Sequence, residues 1–180
     1  MSKIYTKTGD KGQTSLYDGR RVSKASPIIN VLGMIDQLNA YLGVLSLCIG
    51  KDPGAEVIQK RQDELMRLAA MLATYNGKFN PKAKFEISDK EVLALEKEMD
   101  IWQQMLPPLS HFILPGGSEA GAKAHFARTL CRNAERGLVK LSDQELLPPV
   151  ILRYMNRLGD WLFLLARYLN KGKDIIWQVK

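Results

Sequence analysis

Only two cysteines occur in the 180 residues, Cys48 and Cys131. Each sits in a helical pattern without a paired spacing, which excludes a disulfide framework and suits the reducing cytoplasm. Histidine is equally scarce. Neither His111 nor His125 has a cysteine or carboxylate at ligand spacing, so no zinc site is expected. Neither has Glu three residues before it, which excludes the Glu-x-x-His pairs of ferritin-like bundles. The nucleophile elbow of serine hydrolases is missing, and so is the strand–GxxxxGK[ST]–helix spacing of a P-loop. No apolar run reads as long enough to cross a bilayer, and Met1–Lys7 lacks an apolar signal region, so neither membrane nor export is expected. Strand signal is weak, and no internal repeat is visible.

What is present is positive charge and helical period. Lys+Arg 26 against Asp+Glu 19 leaves +7, so the natural partner is anionic. Nucleic-acid binders interleave exposed aromatics with basic residues or carry a recognisable module. Neither pattern occurs here, so a compact phosphate ligand is expected rather than nucleic acid. The length fits one domain. Ser26-Pro27 reads as an N-cap and first helical residue, followed by Ile28, Val31, Leu32, Ile35, Leu38, Leu42 and Leu45 in helical register to about Cys48. A second helix is predicted from about Ala55 to Tyr75, with a loop from Asn76 to Ile87. Ser88-Asp89-Lys90-Glu91 forms a capping box for a third helix, which Pro107-Pro108 stops. Ser118 caps a fourth helix, and a fifth runs from Pro148-Pro149 to about Asn170. The reading is all-α, a five-helix bundle over residues 27–170, with an N-terminal segment at 1–26 and a tail at 171–180 in which Trp177 covers the bundle's end.

Three stretches carry candidate chemistry. On the fourth helix, Arg128, Arg132, Glu135 and Arg136 share one face, where guanidiniums suit a polyanion or form a solvated, ion-paired surface. Asp36 lies along the apolar stripe of the first helix, either paired with an arginine of that face or at the rim in water. Thr6-Lys7-Thr8-Gly9-Asp10-Lys11-Gly12-Gln13-Thr14-Ser15 has the glycines, hydroxyls and lysines of a phosphate cradle, or is a polar arm. Ahead of the fourth helix, His111-Phe112-Ile113-Leu114-Pro115-Gly116-Gly117 is core filler or the wall of an apolar pocket. The set is rich in phosphate-binding groups and poor in proton-transfer groups. It suits a nucleophile that needs no deprotonation and a highly anionic leaving group.

Five segments in order resemble the PduO-type ATP:cob(I)alamin adenosyltransferases: Tyr5 to Thr14, Gly33-Met34-Ile35-Asp36-Gln37-Leu38-Asn39, Phe112 to Gly117, Arg128-x-x-x-Arg132-x-x-Glu135-Arg136, and Asn156-Arg157-Leu158-x-Asp160. The resemblance implies a five-helix bundle assembled as a homotrimer with active sites between subunits. It implies transfer of the 5′-deoxyadenosyl group of ATP to the cobalt of cob(I)alamin or a related corrinoid, with release of triphosphate and Mg2+ accompanying the nucleotide. ATP would fall to Thr6, Lys7, Thr8, Gly9, Thr14, Ser15 and Lys24, together with Arg132, Asn133, Glu135, Arg136 and Asn156. Asp36 and Arg128 resemble an ion pair joining neighbouring subunits. Phe112 resembles the residue that packs beneath the corrin and displaces its lower ligand. A cob(II)alamin reductase and an adenosylcobalamin-dependent enzyme are the protein partners such an activity implies. Asn133 stands where many relatives have arginine, Gln37 where glutamate is usual, and Gly159 where serine is common. A corrinoid escort without turnover and a nucleic-acid binder are the rival functions.

Overall fold

The computed structural model describes residues 4–5, 7–50, 54–74, 85–143 and 147–178. Among these residues the chain forms α1 (Pro27–Ile49), α2 (Gly54–Ala73), α3 (Asp89–Met105), α4 (Glu119–Ser142) and α5 (Pro149–Leu169). The apolar positions read from the sequence are the ones that face inward. Val31, Ile35, Leu38, Leu42 and Leu45 of α1 are buried with Ile58, Leu65, Leu68 and Leu72 of α2. In α4, Gly121, Ala124, Ala127, Cys131 and Ala134 form a buried strip of small side chains, which lets neighbouring helices approach closely. The helix lies between α1 and α5; α1 also packs on α2, and α5 on α3.

Charge completes the core where apolar packing does not. Arg61 of α2 is fully buried, with Nη1 2.9 Å from Glu64 and Nη2 3.2 Å from Glu98 of α3. Tyr154 Oη donates to Glu64 at 2.8 Å, and Trp161 Nε1 donates to Glu98 at 2.7 Å. These bonds join α2, α3 and α5. Burial pushes the Glu64 carboxyl above its ordinary range, opposed by Arg61 and by the Tyr154 hydrogen bond.

The helix ends follow their cap residues, with one exception. The Ser88 capping box is complete, and Ser118 Oγ accepts from Gly121 N. Ser26 does not cap α1 through its side chain, and its hydroxyl is buried without a partner among the described residues. The Ser26 carbonyl still accepts the first helical bond, from Asn30 N at 3.0 Å, and Pro27 has no N–H to satisfy.

Three further expectations need correction. First, α1 is long and apolar enough to cross a membrane by length and composition alone, because Asp36 is its only charged residue. Its apolar stripe is packed on α2 and α4. Second, the N-terminal segment contains an antiparallel hairpin, β1 (Gln13–Ser15) with β2 (Arg21–Ser23). Third, the tail contains a strand. Its strand β4 (Ile175–Ile176) pairs with β3 (Ile113–Leu114), and Trp177 remains about half exposed. Such two- and three-residue strands are too short to show alternation. Tyr75 and most of the loop expected at Asn76–Ile87, residues 76–84, lie outside the described residues.

Candidate active site

The exposed face of α4 presents the arginine cluster to α5. Glu135 does not bridge the guanidiniums. Its Oε1 accepts from Asn156 Nδ2 of α5 at 2.9 Å, and Asn156 Oδ1 accepts from Arg157 Nη1 at 3.1 Å. Arg157 Nε then donates to Glu96 of α3 at 2.7 Å. Arg136 donates to Asn133 Oδ1 at 3.2 Å. The Arg132 stem passes over α5 at Gly159, where a Cβ would sit 3.9 Å from Arg132 Cγ, so serine would fit there without strain. Arg132 is exposed and has no ion pair among the described residues. A guanidinium on a rigid helix, with its neighbours already fixed by their own bonds, is ready for phosphate oxygens.

A second set gathers on the N-terminal hairpin. Arg21 donates from Nη2 to Thr8 O at 2.7 Å and from Nη1 to Ser15 Oγ at 3.2 Å, drawing the Lys7–Gly12 turn onto β1 and β2. Thr14 pairs with Val22 in the hairpin. Lys24 N donates to Gly12 O, and its Nζ lies so close over Gly9 that an added Cβ there would be 3.2 Å away. Lys7 adopts a left-handed backbone, φ 57, a conformation that is costly for a non-glycine residue and clusters at ligand sites. Thr6 lies outside the described residues. Thus Lys7, Thr8, Gly9, Thr14, Ser15 and Lys24 are brought together. No hydrogen bond or ion pair among the described residues joins this set to Arg132, Asn133, Glu135, Arg136 or Asn156 of the same chain.

Asp36 is exposed and makes no ion pair with Arg128 within the chain. It therefore lies at the rim of the α1 stripe rather than on it. Arg128 instead places its guanidinium carbon 5.4 Å from the centre of the Phe163 ring. Phe112 is not core filler: it is 79% exposed and touches Trp177 edge-on, with ring centres 6.2 Å apart. Between α3 and α5, closed at one end by Leu106–Leu109, runs a groove of about 670 Å³. Met99, Leu106, Pro107, Phe163 and Leu164 make much of it apolar, while Glu96, Arg157 and Asp160 stand on its wall.

The titratable groups behind this surface are unsuited to proton transfer or nucleophilic attack. Burial holds the His125 imidazole below its ordinary range, and the Arg128 charge adds to the effect. Cys131 donates to Met155 O at 3.4 Å, and burial drives its thiol far up, so it stays protonated. Among the described residues no group of three or more His, Cys, Asp or Glu could hold a metal ion.

Sequence reasoning missed Arg21, which folds the N-terminal turn, and Arg157, which connects Asn156 to α3. Arg21 was visible only as half of a basic pair. Arg157 stood beside Asn156, but its partner Glu96 is 61 residues away in the chain.

Fold and site together define an all-α bundle that displays two separate sets of oxyanion-binding groups and an apolar groove. The chain belongs to the cobalamin adenosyltransferase family, whose profile it matches over residues 4–169. It is 45% identical over 165 residues to the corrinoid adenosyltransferase PduO of Citrobacter freundii, covering 91% of this chain and 49% of that one. It is 38% identical over 177 residues to a corrinoid adenosyltransferase of Bacillus subtilis, covering 96% and 89% respectively. The chain spans about half the length of the PduO relatives from Citrobacter freundii and Salmonella typhimurium. Among solved structures, it resembles a variant PduO-type ATP:corrinoid adenosyltransferase from Lactobacillus reuteri complexed with cobalamin and ATP, at TM-score 0.91 and 31% identity, over 98% of this chain and 100% of that one. Another variant of that enzyme, complexed with ATP, matches at TM-score 0.89 and 32% identity, over 98% and 100%.

Proposed function

We propose that this chain is a corrinoid adenosyltransferase. It transfers the 5′-deoxyadenosyl group of ATP to the cobalt of cob(I)alamin or a related corrinoid, forming adenosylcobalamin and releasing triphosphate. The cobalt(I) electron pair attacks C5′; the Co–C bond forms as the C5′–O bond breaks, and triphosphate leaves with that bonding pair. Cobalt(I) is already a strong nucleophile, so the reaction asks the protein for positioning and for stabilisation of charge on the leaving group. The observation that carries this reading is Arg132, an exposed guanidinium without an ion-pair partner among the described residues, flanked by Glu135, Asn156 and Arg136 in fixed positions.

ATP is held by Lys7, Thr8, Gly9, Thr14, Ser15 and Lys24 from the hairpin, with Thr6, and by Arg132, Asn133, Glu135, Arg136 and Asn156 from α4 and α5. The hydrogen bonds described for either set do not reach the other, which supports a homotrimer whose sites lie between copies. Asp36 of one copy then pairs with Arg128 of the next. Mg2+ would accompany the triphosphate and offset its charge when bound, with Glu135 the carboxylate of this set that could face it. Phe112 packs beneath the corrin, with Trp177 beside it. The setting is the cytoplasm, where a cob(II)alamin reductase supplies the electron. Mixing the protein anaerobically with ATP and cob(I)alamin tests the reading. Adenosylcobalamin and triphosphate in equal amounts are expected; cleavage of ATP to any other product, or no Co–C bond formation, would overturn it.

A further inference from the structure

Phe112 is exposed, and its own side chain does little to fix it. Its position has to come from the backbone on either side. The segment from Pro107 to Ser118 is held at both feet by side chains from the C-terminal turn of α5. At the first foot, Arg167 Nη2 donates to Pro107 O at 2.8 Å. At the second, Asn170 Nδ2 donates to Gly116 O at 2.9 Å, and Asn170 Oδ1 accepts from Ser118 N at 2.9 Å. Asn170 fills the space beside Gly117 and Gly121 so fully that neither position has room for a Cβ.

The tail adds a third hold on Phe112 itself. Lys171 and Gly172 both take left-handed conformations and turn the chain back towards α5. Asp174 then meets Arg167 Nε at 2.7 Å, and both side chains are about 6% exposed. Beyond it, β4 pairs with β3, Trp177 N donates to Phe112 O at 2.8 Å, and the Trp177 ring lies against Phe112. One guanidinium therefore grips the loop that precedes Phe112 and the tail that covers it. A buried ion pair is weak evidence of stability as such and is best attested as a way of fixing register.

We propose that Arg167, through Asp174 and Pro107, is a positioning residue that holds Phe112 in place under the corrin. The proposal rests on the corrinoid reading above for what Phe112 touches, but the hold itself exists without ligand. Arg167 does not touch the reacting atoms, because its fork is taken up by Asp174 and Pro107. Its loss should act on the geometry of the corrin floor and leave the phosphate-binding groups as they are.

Arg167→Met keeps the length of the side chain and removes the fork; Arg167→Lys keeps the charge. In the protein alone, hydrogen exchange at the Trp177 amide should speed up about tenfold or more in Arg167→Met, and partly recover in Arg167→Lys. With ATP and cob(II)alamin present, the electron paramagnetic resonance signal of cobalt lacking a lower ligand should shrink by a similar factor. Adenosylation starting from cobalt(II) and a reductant should fall with it, while the rate from pre-reduced cobalt(I) and the KM for ATP change far less. Trp177→Ala, at an exposed position that leaves the buried pair intact, should show the same split; it carries the test if Arg167→Met does not fold. Wild-type exchange and wild-type cobalt coordination in folded variants would overturn the proposal, as would equal losses from both cobalt states. If the wild-type protein makes no adenosylcobalamin, the functional reading fails, and the exchange measurement still decides whether Arg167 holds the loop.

Discussion

Arg132 has no carboxylate partner among the described residues, whereas Arg157, on the neighbouring helix α5, is bound to Glu96. That contrast separates a guanidinium kept for a ligand from one spent on structure. Arg132→Ala should lower turnover by roughly one to two decades, the effect of about 1.5–3 kcal/mol lost from a charged hydrogen bond in the transition state. The melting temperature should hold, because the side chain is exposed. Wild-type kinetics in a folded variant would remove Arg132 from the site. Phe112→Ala belongs to the same scale. With Phe112 so exposed, the substitution should change stability by no more than about 0.5 kcal/mol. It should depress adenosylation from cobalt(II) far more than from cobalt(I), and leave ATP affinity unchanged. A drop in melting temperature with equal losses from both states would show Phe112 to be structural. At this scale the sequence was informative wherever neighbours are local: the Arg128–Arg136 face was visible from helical period alone. It was silent on what Glu135 binds, since Asn156 lies 21 residues on and only the packing of α4 against α5 brings them together.

Among the elements, the helices were readable because each carries its own evidence. Apolar residues three and four apart, a capping box at Ser88 and prolines at 107, 108, 148 and 149 are all local signals. The strands were not, because Ile113 is joined to Ile176 across the length of two helices, and no residue near either position announces the pairing. Arg61 is a different case. Nothing local marks it as buried, yet it is fully enclosed, with Glu64, Glu98 and the Trp161 ring against its guanidinium. Arg61→Ala leaves the buried Glu64 without its cation, with only the Tyr154 hydroxyl as partner, and should cost about 3–5 kcal/mol, read as a lower melting temperature and denaturant midpoint. A variant that melts with the wild type would mean water reaches the carboxylates freely. Unlike the changes at Arg132 and Phe112, this one should leave turnover per folded molecule nearly intact at low temperature.

For the whole molecule, the informative feature is an unfinished surface. Asp36 on α1 and Arg128 on α4 are both without an ion-pair partner among the described residues, and Val44, Leu47 and Phe126 are exposed on the same two helices. A second copy that brings its Arg128 against this Asp36 would pair the two charges across the boundary. The single variants Asp36→Ala and Arg128→Ala should then each weaken assembly and activity, and the double variant should lose less than the sum. Additive losses in sedimentation and kinetics would mean the two residues do not meet. The sequence named both residues, but within one chain its pattern shows only an exposed acid on a largely apolar helix, and nothing local tells which arginine such an acid would meet.

A site shared between copies, as proposed, would have one more consequence, for genetics as much as for enzymology. In that case a chain altered at Lys24 and a chain altered at Arg132 would each be inactive alone, because every site in either assembly would lack one half. Mixed and reassembled in equal amounts, they should complement. Wherever an intact hairpin from one copy faces an intact α4 from another, a complete site returns, which random association in a ring allows at about one boundary in four. Two defective alleles expressed together would thus restore part of the activity that neither encodes. If both halves of the site come from one chain, co-expression restores nothing.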